Sequence, residues 1–173
     1  MNKTSFIGKL GEDLACVYLI EKGYKVIERN FRRNWGELDL IVKDPDGSLV
    51  FVEVKTMRSR RKVGIPTSLL EDSDSASGQY GNTATQTNST GQVAELLPEE
   101  NLTKSKLIKL KRTAYLYANE NLSLVDDDRG WRIDLVAITI PENVSRETLK
   151  SNILRETLTN LLKYCDIKHF ENL

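Results

Sequence analysis

The sequence is poor in the residues that build most catalytic and metal centres: it has one histidine, His169, and two cysteines, Cys16 and Cys165. No Cys-x-x-Cys or Cys/His spacing occurs, which excludes a zinc site of the usual kind and leaves Ser-His-Asp catalysis only if His169 serves alone. Two thiols make no disulfide framework. No stretch approaches the roughly 20 apolar residues of a membrane span, and Met1 to Leu10 lacks the apolar run of a signal peptide, so the expected setting is a reducing cytoplasm with no membrane partner. Net charge of one sign is also missing, since 25 basic residues balance 25 acids, and this argues against a protein permanently coated with nucleic acid. What remains, 39% hydrophobic and 29% charged residues over 173 positions, describes a globular chain expected to form one domain, long enough to bury about two-thirds of its unfolded surface.

The charge balance hides an uneven distribution. Glu71 to Glu100 holds six acids and no lysine or arginine, so the rest of a neutral chain carries +6. Ser68 to Gln92 is dominated by Ser, Thr, Gly, Asn, Gln and Asp, a composition that cannot bury enough apolar area to offset its ordering entropy. A low-complexity acidic insert at about 68–98 is therefore expected to interrupt a single domain and to compete with phosphates for the basic residues beside it in sequence, with Ser68 to Gln92 mobile and dispensable for folding. No internal repeat is visible.

Hydrophobic periodicity supplies the elements. Ile7, Leu10, Leu14, Val17 and Tyr18 recur at helical spacing between Ser5 and Gly23. Tyr24 to Asn30 reads as a short strand and Trp35 to Lys43 as another, with Leu38, Leu40 and Val42 alternating against Glu37, Asp39 and Ile41. Asp44-Pro45-Asp46-Gly47 is a turn, after which Leu49 to Lys55 places Val50, Val52 and Val54 on one face and Leu49, Phe51, Glu53 and Lys55 on the other. Beyond the insert the pattern predicts a helix from Thr103 to Asn119, a strand from Trp131 to Ile140, a helix through Leu149, Ile153, Leu158, Leu161 and Leu162, and a short strand from Ile167 to Phe170.

Chemistry concentrates on the predicted hairpin, where Gly36-Glu37-Leu38-Asp39 is followed by Glu53-Val54-Lys55. Acids on neighbouring strands can share a hard divalent cation, with a backbone carbonyl such as that of Val54 and waters completing an oxygen shell. Lys55 projects to the face of Glu53 and can orient a nucleophile or steady charge on a phosphate. The bland alternative is a solvated Glu-x-Lys face. Register separates the two: a four-residue turn puts Asp39 opposite Val52 and on the wrong side, whereas a connection running through Ser48 pairs Lys43 with Leu49 and brings Asp39 to the side of Glu53.

Taken together, Gly11-Glu12-x-x-Ala15-x-x-Tyr18-Leu19, Gly23-Tyr24, Arg29-Asn30-Phe31-Arg32, Gly36 to Ile41, Phe51 to Thr56, Gly64-x-Pro66, Lys106-x-x-Lys109-Leu110 and Arg132 to Val136 resemble the YraN-like proteins of the PD-(D/E)XK nuclease superfamily. The resemblance covers most of the chain outside Ser68 to Pro98 and Asn143 to Asp166. It implies an α/β restriction-endonuclease-like fold, a mixed central sheet flanked by helices, Mg²⁺- or Mn²⁺-dependent cleavage, and archaeal Holliday-junction resolvases as architectural relatives. By position it makes Asp39 and Glu53 the metal-binding acids, Lys55 the catalytic lysine and Glu12 the first-helix glutamate that approaches the metal. The superfamily's proline is replaced by Leu38.

Other residues carry both functional and ordinary readings. Glu12 lies at the margin of its helix's apolar stripe beside Gly8 and Ala15, and Glu37 is either a further ligand or solvated. Lys106 sits at the edge of its helix's apolar face, where a phosphate contact competes with a snorkelling stem, the latter slightly favoured. Arg29, Arg32 and Arg33, then Lys55, Arg58, Arg60, Arg61 and Lys62, then Lys104, Lys106, Lys109, Lys111 and Arg112 form a phosphate track that would bind backbone without reading bases. Asp126 to Asp128 reads as an acidic turn, and His169 and the cysteines as structural. The function expected is a metal-dependent endonuclease acting on DNA, branched or otherwise structured DNA in particular. The alternative is a noncatalytic nucleic-acid-binding or scaffolding module that keeps the fold. DNA against RNA, and monomer against homodimer, stay open.

Overall fold

A computed structural model describes residues 3–59, 102–142, 144 and 155–173. The predicted insert, Arg60, Arg61, Lys62, Gly64, Pro66, Leu149 and Ile153 lie outside the described residues.

Helix α1 (Lys3–Glu21) is followed by strands β1 (Lys25–Arg33), β2 (Gly36–Lys43) and β3 (Leu49–Arg58), helix α2 (Lys104–Glu120), a single 3-10 turn at Leu122–Leu124, strand β4 (Trp131–Ile140), helix α3 (Arg155–Leu162) and strand β5 (Asp166–Phe170). The strands form one sheet in the order β1-β2-β3-β4-β5. Only β3 and β4 run parallel; the other neighbours are antiparallel. A parallel pair needs a crossover, and the connection that contains α2 provides it. The architecture is α/β, a five-stranded mixed sheet flanked by helices, consistent with the restriction-endonuclease-like fold. Among the described residues no helix is long and apolar enough to cross a membrane.

Both faces of the sheet are buried. Leu10, Leu14, Val17 and Leu19 of α1, with Leu158 and Leu161 of α3, pack on Val50, Val52, Val136 and Ile138. Leu110, Ala114 and Tyr117 of α2 pack on the other face, against Phe31, Phe51 and Ile133. The strict alternation of β3 expresses this division: its valines serve one core, Leu49 and Phe51 the other. Helix α1 lies so close that a Cβ on Gly11 would fall 1.7 Å from Thr56 Oγ1, so glycine is what permits contact at that crossing. At its end Gly23 takes φ +88°, and the Tyr24 and Gly23 N–H groups donate to the Leu19 and Ile20 carbonyls, each at 3.0 Å. Those two bonds are the Schellman closure that turns the chain into β1.

The predicted alternation of β2 fails at one point. Leu40 and Val42 belong to the α1 core, as alternation requires, but Leu38 packs with Phe31 in the α2 core. Asn30, with φ +54°, lies between Arg29, paired with Leu40, and Phe31, paired with Leu38. A positive φ in β1 at this level shows that the ribbon is irregular here, which a flat alternating template cannot represent. Asp39 sits at this break.

A buried polar network joins the far side of the sheet. Asp134 on β4 is fully buried. It accepts from Arg132 Nε at 3.0 Å and from the Asn172 N–H at 3.0 Å, and its other oxygen lies 3.0 Å from His169 Nε2. An ionised carboxylate only accepts, so Nε2 carries the hydrogen. Arg132 extends to Asp44 at 2.5 Å and to the Tyr24 hydroxyl at 3.3 Å. Burial alone would raise the proton affinity of Asp134, but His169, Arg132 and the Asn172 N–H outweigh it and hold the pKa below its ordinary value. His169 and Arg132-x-Asp134 are therefore structural.

Candidate active site

The β2–β3 connection runs from Asp44 through Ser48. Asp44 N–H donates to the Ser48 carbonyl at 3.1 Å, Gly47 N–H donates to the Asp44 carbonyl at 3.1 Å, and Ser48 N–H donates to Asp44 Oδ1 at 2.8 Å. Lys43 consequently pairs with Leu49, Ile41 with Phe51 and Leu40 with Val52, the longer-loop register that the metal-site reading requires. The main-chain ladder ends at Leu40 and Val52. One residue further, Asp39 Oδ2 accepts from the Val54 N–H at 2.8 Å, so a side chain takes over where the two strands part.

Glu53 is 3% exposed on the α2 side. Its Oε1 accepts from Lys55 Nζ at 2.8 Å and from Lys106 Nζ at 2.5 Å. Burial, then the neighbouring Glu53 charge, pushes the Asp39 pKa up to about 6, with Glu12 adding to the rise and the Val54 N–H and Lys106 opposing it. Burial disfavours the charged form of Lys106, but Glu53 outweighs it, and the Lys106 pKa is raised. Asp39, Glu53, Lys55 and Lys106 thus form one interacting group, with Glu12 close enough to act on Asp39.

Two crowded carboxylates fit a hard divalent cation, which is commonly held by one or two carboxylates and several waters. Among the described residues no three acids, histidines or cysteines converge as a ready-made metal cluster, so any cation there would lean on Asp39, Glu53, a main-chain carbonyl such as that of Val54, and solvent. Cys165 packs against the α1 core, and burial pushes its pKa up to about 12.

Ionisation of Asp39 against burial and Glu53 works against the folded state. Because the folded pKa lies above the ordinary 3.8, this cost is absent below that value, grows as pH rises to about 6 and stays constant above. Asp39→Asn keeps an acceptor for Val54 and removes the charge. Each tenfold gain in proton affinity on folding corresponds to about 1.4 kcal/mol. The substitution should therefore stabilise the metal-free protein by on the order of 3 kcal/mol at neutral pH and by nothing well below pH 3.8. Urea unfolding in EDTA across that range checks this, and a variant less stable than wild type at neutral pH would refute it.

Of this group, Glu53 and Lys106 line a groove of about 570 Å³ between the β1–β2 turn and the first turns of α2. Arg32, Arg33, Lys106 and Lys109 line it against Glu37 and Glu53. Glu37 is exposed and pairs with Arg32 at 3.7 Å, while the Arg33 guanidinium sits 4.6 Å over the Phe31 ring. Arg58 donates to the Val144 carbonyl, and Arg29 pairs with Asp13. Lys106 departs from the expected snorkelling stem, because its ammonium turns onto Glu53. A lysine in a first helical turn gives no hint of its partner; the nearest signal was the lack of any acid in that turn.

The Uncharacterised protein family UPF0102 matches residues 11–76. A UPF0102 protein of Syntrophomonas wolfei subsp. wolfei is 38% identical over 111 residues, covering 64% of this chain and 67% of that protein. UPF0102 proteins of Trichlorobacter lovleyi and Corynebacterium efficiens are 53% identical over 53 residues and 54% identical over 52. Those two matches cover 31% and 30% of this chain and 42% and 43% of the relatives, so the chain spans less than half the length of either. With this similarity centred on α1 and the β1–β3 unit that carries Asp39, Glu53 and Lys55, the chain belongs to the uncharacterised family UPF0102, the YraN family, in the restriction-endonuclease-like superfamily.

Proposed function

We propose that the protein is a metal-dependent endonuclease that hydrolyses phosphodiester bonds in DNA, with branched or otherwise structured DNA as its substrate. One observation carries this reading: where β2 and β3 part, Asp39 accepts from the Val54 N–H and feels the Glu53 charge, and Lys55 pairs with Glu53, which lines a groove with four basic side chains. Asp39 and Glu53, with the Val54 carbonyl, would hold Mg²⁺ or Mn²⁺. Such a cation lowers the pKa of bound water and neutralises phosphate charge. Lys55, held by Glu53 at 2.8 Å, presents an ammonium to a phosphate oxygen or to the attacking water. Arg32, Arg33 and Lys109 line the groove and would bind neighbouring phosphates without reading bases, which makes affinity fall steeply with salt.

Single-stranded, duplex, flap and four-way DNA, incubated with Mg²⁺, Mn²⁺ or EDTA, provide the test. Cleavage should require metal, favour the branched substrates and vanish in Glu53→Gln. DNA binding without cleavage on any substrate would replace this reading with a noncatalytic module that keeps the fold.

A further inference from the structure

Two ammonium groups share a single carboxylate oxygen, and they reach it from different layers. Lys55 lies two residues beyond Glu53 on β3, its side chain 18% exposed. Lys106 comes from α2 across the groove, its side chain 42% exposed. Helix α2 is capped by Thr103, whose hydroxyl accepts from the Lys106 N–H. Lys106 therefore occupies the third helical position, where a glutamate or glutamine would complete a capping box. A lysine there also opposes the helix dipole, and no acid in the first turn relieves it. Helix stability does not account for this residue; its ion pair with Glu53 does.

We propose that Lys106 is a displaceable counter-cation, which neutralises Glu53 in the metal-free protein and gives it up to an entering divalent cation, turning into the groove to meet a substrate phosphate. The inference rests on the metal-dependent reading of the site. Glu53 Oε1 already accepts two ammonium donors, and a cation that takes this oxygen must break a pair. Lys55 is anchored on the strand of Glu53 and mostly covered, whereas Lys106 has a flexible four-carbon stem and open groove beside it. Lys106 therefore weakens cation binding until a phosphate offers it another partner. Metal and nucleic acid then strengthen each other's binding by the same factor, as linkage requires. The free enzyme would hold metal loosely and the substrate complex tightly.

Mn²⁺ binding to the full chain, followed by calorimetry and by electron paramagnetic resonance, tests this without relying on cleavage. Lys106→Gln should bind Mn²⁺ about tenfold more tightly than wild type, and Lys106→Arg, which keeps the charge, should match wild type. Lys163→Gln removes an equal charge from an exposed position just after α3, on the opposite face of the sheet, and should change affinity less than about twofold. A nonhydrolysable phosphorothioate duplex should tighten Mn²⁺ binding in wild type far more than in Lys106→Gln. Equal or weaker Mn²⁺ binding by Lys106→Gln, or equal tightening by Lys163→Gln, would overturn the displacement. If no variant shows saturable Mn²⁺ binding that Glu53→Gln abolishes, the metal-dependent reading itself fails.

Discussion

Asp134→Ala should lower stability by about 3–5 kcal/mol, the usual consequence of removing one partner from a buried ionic group. The carboxylate holds Arg132, His169 and the Asn172 N–H together. Without it Arg132 keeps Asp44 and Tyr24, and the covered His169 ring and the Asn172 N–H lose their acceptor. Against a total stability of about 5–15 kcal/mol, that is a large share, and a fall in Tm of roughly 10 °C follows for a domain of this size. Asp46→Ala, at an exposed turn position, should stay within about 0.5 kcal/mol. The acid limb carries a second signature. The folded pKa of Asp134 is below the ordinary 3.8, so its stabilisation is complete above that value and is lost as pH falls through the lower folded pKa. In Asp134→Ala this loss should be missing from the pH profile. Urea unfolding from pH 7 to pH 2 measures both effects, and a change under about 1 kcal/mol at neutral pH would show that the network is dispensable.

Lys55→Met should reduce cleavage about 10²- to 10³-fold, the effect of withdrawing one preorganised donor from a developing oxyanion. Methionine is close in length and unbranched, so β3 and its two cores should be undisturbed. Glu53 keeps Lys106 as a partner, and Mn²⁺ binding should not weaken. The loss should fall on kcat rather than KM, because Lys55 acts on charge that appears in the transition state, and DNA affinity should change by little more than one phosphate contact. A variant that cleaves at the wild-type rate would remove Lys55 from the chemistry. One that loses metal binding instead would make it a support for Glu53.

Much of this arrangement is visible in the residues alone. Val50, Val52 and Val54 announce one face of β3, and Leu49, Phe51 and Glu53 the other, because a central strand buried on both sides still divides its side chains by parity. The turn residues Asp44 to Ser48 imply the register that joins Lys43 to Leu49. What stays hidden depends on distance or distortion. Leu38 leaves the face of Leu40 because the ribbon is irregular near Asn30, and periodicity assumes straight strands. Asp39 binds the Val54 N–H rather than simply facing Glu53, because the ladder ends one pair early. Lys106 lies 53 positions after Glu53 in sequence, and a single sequence holds no trace of such a pairing. Asp134 and His169 share the same difficulty, although a charged residue in the middle of the apolar run from Ile133 to Ile140 was a sign that something polar must meet it.

Among the described residues β1 is an outer strand of the sheet, which bears on how copies of this protein coexist in solution. A nine-residue outer strand is a template for intermolecular β-pairing, the first step of edge-to-edge aggregation. Here the strand carries Lys25, Glu28, Arg29, Arg32 and Arg33. Its register slips between Val26 and Glu28, and Asn30 adopts a left-handed backbone conformation. Charge makes a second strand unwelcome, and two local distortions deny it a straight row of hydrogen-bonding groups. The irregularity that moves Phe31 and Leu38 toward α2 therefore also keeps the sheet from growing outward, and the same strand can present Arg32 and Arg33 to the groove without recruiting a neighbour.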